Sequence, residues 1–465
     1  VSALVLAACG SQLDPGTVAQ VNGESGQAGS ASGEFPTSGD SPAGTLPGGS
    51  AAGSGGGSGS TGDAGSGGSG DTSGSGDGPP AVSGQQGSCA GFKNGPGITD
   101  DTITIGNAAD VSGPIPGLFE SSQEATKAFV AYFNATSEIC GRKLELNTYD
   151  SRTDAGGDQQ AYTAACDEVF AMVGSMSAFD HGGAGTAQSC GLPDVRALAA
   201  TSARNDCSTC FSSFASDVNE VSNDYPTFIK AHYASSADKV ALLYMNAGAA
   251  VEIADNAVAA FTKQGLDIIY DQGIDVTEFN YSPYVQQLKD KGVEVVLFLG
   301  AWQQSVKMAQ TMQQMGYQPK LYLRDAGDYT APYAEQGGDA VEGTTVALSF
   351  TPFEEASSNP ELSLYMSWLQ QVKPGASPSF FGVYSWSAAR LFVETAAKLG
   401  GKLTRATLLD ALSKVDNWTS QGLTAPQHVG SKRTAGCMRY LQLEGGNWKP
   451  YGGTKYICSG TTRVG

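Results

Sequence analysis

Two runs, KVALLYM at 239–245 and VEVVLFL at 293–299, set the tightest limit on the fold. Each is apolar at successive positions, so a strand made from it needs cover on both faces, as in a parallel sheet flanked by helices. Val251, Ala254, Val258 and Phe261 follow the first run at helical spacing. Met308, Met312 and Met315 follow the second and read as core packing. The same rhythm begins near Ile98. Thr102–Ala109 reads as a strand, Glu120–Thr136 as a helix with Phe129 and Phe133 on one face, and Lys143–Tyr149 as a strand. Gln159–Phe170 reads as a helix and Ala171–Gly174 as a short buried strand. Further strands are expected at 266–270, 320–324 and 344–349, with a helix at 284–291. The carboxyl third reads as helical at 362–372, 380–399 and 405–415, ending in strands at 438–443 and 456–458. Two successive βαβα series predict two parallel-sheet α/β lobes.

Ahead of these lobes the composition changes. Residues 10–88 hold 25 of the 62 glycines, 16 serines and no Lys or Arg. Such a tract buries too little surface to offset its ordering entropy, which predicts a disordered linker. The remainder, 89–465, carries 39 acidic and 27 basic residues. That balance argues against nucleic-acid binding and against a polybasic membrane patch, both of which need clustered cations. The first residues, VSALVLAA, are too few to span a bilayer and read as the end of a secretory signal. Leu6-Ala7-Ala8-Cys9 is similar to a bacterial lipobox, which implies lipidation of Cys9 and an anchor on the outer face of the cell membrane.

Eight further cysteines fit four disulfides in an exported chain. Proximity in sequence pairs Cys166 with Cys190 and Cys437 with Cys458, and Cys89 is paired with Cys140. Cys207-x-x-Cys210 has the spacing of a redox pair, but its flanks read as loop rather than as a strand running into a helix. A single such motif with three histidines is thin support for zinc, so neither a metal nor a cofactor is expected.

Parallel sheets bind ligands beyond the carboxyl ends of their strands. The loops there are 110–119, 175–185, 201–206, 301–303 and 325–329. They carry hydroxyls suited to a carboxylate, acids suited to an ammonium, and aromatics that bury an apolar body.

At these loops the chain resembles the leucine/isoleucine/valine-binding type of periplasmic binding protein, the extracytoplasmic solute receptors of ABC transporters. The resemblance lies in DVSGPIPGLFESSQEATKAFVAYFN (110–134), CGRKLELNTYDSRTD (140–154), VFAMVGSMSA (169–178) and FNYSPYVQQLKDKGVEVVLFLGA (279–301), and runs from Ile98 to the C-terminus. It implies an α/β, two-lobed type I periplasmic-binding-protein fold, each lobe a parallel sheet flanked by helices, with three crossovers. Lobe 1 is then 92–217 and 350–434, and lobe 2 is 218–349 and 435–465. The resemblance also implies a ligand site made from Ser177 and Ala178, Thr201 and Ser202, an aromatic clamp of Phe119 and Trp302, and Asp325 as the partner of an amine. Its other implications are a small polar metabolite such as an amino acid or amide as solute, and ABC permease subunits as partners, the membrane being reached only through the lipid anchor. Three features depart from the pattern. Ala178 replaces a hydroxyl, NAGAAVE after Met245 lacks an aromatic, and Phe179-Asp180-His181 is inserted.

Other functions fit less well. A sensing receptor of the same fold, coupled to a signalling partner, shares every feature above. A secreted hydrolase would need Ser177, His181 and Asp180 to face one another from a single loop, and GSMSA places Met where the nucleophile elbow needs Ser. Gly183-Ala-Gly185 lacks the third glycine of a dinucleotide loop.

Overall fold

The computed structural model describes residues 86–464. Cys9 and the linker up to residue 85 lie outside them. The linker's last residues do not fit the expectation of disorder through Ser88. Gly87 N–H donates to Ala397 O at 2.9 Å, and Ser88 O accepts from Gly401 N at 2.8 Å. A Cβ at Gly87 would sit 2.4 Å from Lys398 O, so only glycine permits this approach.

The first lobe opens with β1 (Thr102–Ala109), α1 (Glu120–Thr136), β2 (Lys143–Asp150), α2 (Ala155–Glu168) and β3 (Ala171–Val173). It continues with α3 (His181–Ser189), β4 (Asp194–Leu198), α4 (Ser202–Asp206) and β5 (Cys210–Phe214). Then come β6 (Glu220–Ser222), α5 (Asp224–His232), β7 (Val240–Met245), α6 (Ala249–Lys263), β8 (Ile268–Ile274) and α7 (Ser282–Asp290). The second lobe goes on with β9 (Val295–Leu299), α8 (Trp302–Gln314), β10 (Leu321–Arg324), α9 (Ala331–Gly337) and β11 (Thr345–Leu348). Last are α10 (Pro360–Val372), α11 (Phe380–Leu399), α12 (Arg405–Leu412), β12 (Cys437–Glu444), β13 (Asn447–Tyr451), β14 (Ile457–Cys458) and β15 (Thr461–Arg463).

Five parallel strands in the order β2-β1-β3-β4-β5 make the first sheet. The second runs β13-β12-β11-β10-β9-β7-β8, parallel from β11 to β8, with β12 and β13 antiparallel to their neighbours. As the unbroken apolar runs require, β7 and β9 are buried almost throughout. Separate apolar clusters cover the two faces of their sheet. After β11 the chain returns to the first lobe, where α11 is buried along most of its length. Trp386 and Phe392 on α11 join Phe129 and Tyr132 of α1 in one core, and the polar residues buried with them find partners, Arg390 pairing with Glu361 at 2.6 Å.

The chain therefore crosses between the lobes at 215–219, 349–352 and 434–436. Two of these crossings are tied together. Thr434 Oγ1 accepts from Asp217 N at 2.9 Å and donates to Asp217 O, and β15 pairs with β6 beside them.

Several local expectations need correction. α2 starts at Ala155, because Asp154 caps it by accepting from Gly157 N, a start masked by the Gly156-Gly157 pair. The flanks of Cys207 and Cys210 are not loop: Arg204-Asn-Asp closes α4, and Cys210 opens β5. On α6 the buried stripe is Ala254, Ala257, Ala260 and Phe261, while Val251 and Val258 are only partly covered. Disulfides join Cys89 to Cys140, Cys166 to Cys190, Cys207 to Cys210 and Cys437 to Cys458. Among the described residues no helix is long and apolar enough to cross a membrane.

Candidate functional site

The loops at the carboxyl ends of both sheets enclose a cavity of about 450 Å³, within the range usual for small-molecule clefts. From the first lobe come Leu118, Phe119, Met176, Ala178, Phe179 and Phe381; from the second come Met245, Val276, Phe298 and Trp302. Phe119 precedes α1 and meets Phe381, near the start of α11, edge-on with centroids 4.6 Å apart. Trp302 opens α8, and its half-buried ring leans on the second lobe's core. Asp325 follows β10, its Oδ1 accepting from Gly327 N at 2.7 Å.

The expected hydroxyls are directed elsewhere. Asp110, fully buried, accepts from Ser151 Oγ at 2.5 Å, Thr153 N at 3.1 Å and Ala178 N at 2.8 Å, and Ser177 also bonds to it. Burial raises the Asp110 pKa against the effect of those hydrogen bonds. Ser177 Oγ accepts from Phe179 N as well, and its side chain is buried. Thr201 Oγ1 donates to Asp180 at 2.7 Å and caps α4 through Arg204 N. Ser202 offers its N–H to Glu252 of the second lobe at 3.3 Å. Ser177, Thr201 and Ser202 do not line the cavity: Asp110 and Asp180 hold the Ser177 and Thr201 hydroxyls, and Ser202 turns to Glu252. Ala178 shows the cavity only its methyl group. Its N–H goes to Asp110, and its C=O accepts from Ala249 N at 2.9 Å, across the cleft. No hydrogen bond between Ser177 and His181 exists among the described residues, and the Asp180 carboxylate turns instead to Arg196 and Thr201.

In the second lobe Arg324 has the equivalent task. Fully buried, it donates to both oxygens of Asp328, to Ser305 Oγ at 2.8 Å and to Gly300 O at 3.0 Å, which holds the Trp302 and Asp325 loops together. Phe179 stands on a loop expected at the cleft and does line it, whereas Met245, Phe298 and Phe381 went unrecognised in sequence. Phe381 in particular comes from the third segment of the chain, and only the fold brings it to the cleft.

An aromatic-walled cleft between two parallel-sheet lobes with three crossings is decisive together with one comparison. The model of the periplasmic binding protein family matches residues 102–447. The chain belongs to that family. Its members are solute-binding receptors that act outside the cytoplasmic membrane. Leu/Ile/Val-binding protein homolog 7 of Brucella abortus is 24% identical over 350 residues, covering 71% of this chain and 85% of the relative. Two solved structures share the fold. A fatty acid ABC transporter substrate-binding protein from Thermomonospora curvata superposes with a TM-score of 0.67 at 19% identity, over 80% of this chain and 94% of that one. The branched-chain amino acid transporter substrate-binding protein of Streptococcus pneumoniae, solved with isoleucine, gives 0.64 at 15% identity, over 77% and 99%.

At Gly248 the two lobes of this binding protein touch. Its φ is +56°, and a Cβ there would lie 2.7 Å from Ala178 O. Gly248→Val should hold the lobes apart, enlarging the radius of gyration with solute present and weakening binding by about tenfold or more. Solution scattering and titration of the variant check this; unchanged values for both would contradict it.

Proposed function

We propose that the chain is the solute receptor of an ABC importer, held outside the membrane by lipid on Cys9 and the 10–88 linker. Its two lobes close on a solute whose body is mainly apolar, and a permease recognises the closed form. One observation carries the choice of solute. The cavity is walled by aromatic and aliphatic side chains, and among the described residues lining it none is Lys, Arg or His. An amino acid would need partners for both its charged groups, since unpaired charges are costly to bury. Here the Ser177 and Thr201 hydroxyls that would serve its carboxylate are bound to Asp110 and Asp180, and Ser202 does not line the cavity. A mainly apolar solute instead gains from each contact with Phe119, Phe381 and Trp302. Closure follows if the solute contacts both lobes, because only its differential contacts shift the equilibrium.

Two experiments test the reading. Cys9→Ala should release the protein into the medium, while deletion of 15–80 should leave it membrane-bound; a wild-type protein found in the culture supernatant would refute the anchor. Solvent extraction of protein purified gently from washed membranes, followed by mass spectrometry, should return an apolar-bodied compound. A free amino acid in near-equimolar amount would overturn the solute class.

A further inference from the structure

The cavity does not stop at the strand ends. It continues into the second lobe between α6 and its sheet, over Leu242, Leu297 and Leu323 and past Ile253, Ala257 and Phe261. Leu242 lies three residues before Met245, so the floor is about 10 Å below the end of β7. Along α6 the lining runs from Ala249 to Phe261, about 18 Å at the helical rise. α6 faces the sheet largely with alanines, whose side chains end at Cβ, and it is along this short-side-chain face that the lining reaches down to the sheet.

We infer that this slot takes the hydrocarbon tail of a single-chain amphiphile whose head group, a hydroxyl or an ammonium, donates hydrogen bonds at the Trp302–Asp325 end. The inference rests on the reading of the cleft as the solute site. Length argues for a chain: a branched amino-acid side chain would leave most of the slot empty. Charge selects the head. Among the described residues three carboxylates line the cavity and no cation does. Glu220 is paired with Arg433 at 2.6 Å and Asp217 with Arg463 at 3.5 Å. Asp325 keeps Oδ2 free of hydrogen bonds, with Arg324 Nη1 3.9 Å away, and its side chain is 41% exposed. That oxygen accepts from an alcohol or an ammonium. A carboxylate head would meet it as a like charge.

The test titrates the full-length protein with decylamine, 1-decanol and decanoate below their aggregation limits, and with the hexyl counterparts. Decylamine, decanol or both should bind more tightly than decanoate. Affinity should rise about tenfold for every two methylenes from hexyl to decyl. Ala257→Phe should erase that gain and leave hexyl binding intact; Ile253→Phe, one turn earlier, should do the same if the first variant fails to fold. Asp325→Asn should abolish any preference for amine over alcohol. Equal affinity for decanoate, or equal loss of hexyl and decyl binding in Ala257→Phe, would overturn the inference. Leucine binding with no response to the chain series would also overturn it while leaving the receptor reading in place. A protein that closes on no solute would remove both.

Discussion

Arg204→Ala is expected to cost about 3–5 kcal/mol of folding stability, the usual penalty for leaving buried charge uncompensated. Arg204 is fully buried and donates to Asp158 at 2.8 Å, to Asp194 at 3.0 Å and to Asp180 O at 2.8 Å. Its guanidinium lies 4.3 Å from the centroid of the Tyr162 ring. With Arg196 it is set against three buried carboxylates, Asp158, Asp180 and Asp194. One proton would leave this cluster neutral, and burial raises the Asp158 pKa to about 6 even against both arginines. Folded Asp158 therefore holds a proton that the unfolded chain has released between about pH 4 and pH 6, so stability should rise as the pH falls from 7 toward 4. Asp224, raised by burial to about 6, acts in the same direction. Asp158→Asn keeps an acceptor for Gly183 N and Arg204, so it should cost far less than Arg204→Ala and flatten the pH dependence. Urea denaturation of both variants at pH 5 and 7 checks the pair. Equal costs would contradict the assignment of the charges.

Trp302→Ala should weaken solute binding by about 2 kcal/mol or more, the effect of removing a large rigid aromatic anchor. The ring is half-buried at the start of α8 and faces the cavity, so the melting temperature without solute should change much less. A ring that served as core would reverse this, with affinity kept and about 3–5 kcal/mol of stability lost. Titration and melting of the one variant separate the two roles.

The architecture was legible where burial writes itself as composition. VALLYM and VVLFL are covered on both faces and contain no polar residue that needs a partner apart from a tyrosine. β4 was not legible: its sequence DVRAL places Asp194 and Arg196 in the core, where Arg204, Tyr162 and Asp180, all outside the strand, make them tolerable. β5, CFSSF, hides its strand behind two serines whose backbone pairs with β4. The same contrast runs through the site. Trp302 and Asp325 stand within three residues of a strand's end and Phe119 closes the loop that follows β1, so topology alone brings them to the cleft. Ser177 and Thr201 looked equally well placed, yet their hydroxyls are claimed by Asp110, 67 residues earlier, and by Asp180, 21 residues away. A hydroxyl's partner is a matter of tertiary distance, which a single sequence does not encode locally. The slot beneath α6 was hidden for the opposite reason. Alanines at helical spacing read as packing, and the space they leave shows only when the sheet is laid against them.

Thermal melting of the wild-type protein against a panel of small solutes decides whether the lobes close on an apolar-bodied one. Leucine, isobutyramide and spermidine stand for polar metabolites, and 1-octanol, 4-ethylphenol and octylamine for apolar-bodied ones. A solute that binds only the folded form adds about 2.7 kcal/mol at a hundred times its Kd, an unmistakable rise in Tm. That rise is expected with at least one of the apolar-bodied solutes and not with leucine or isobutyramide; a saturable rise with leucine and none with the apolar set would overturn closure on an apolar body.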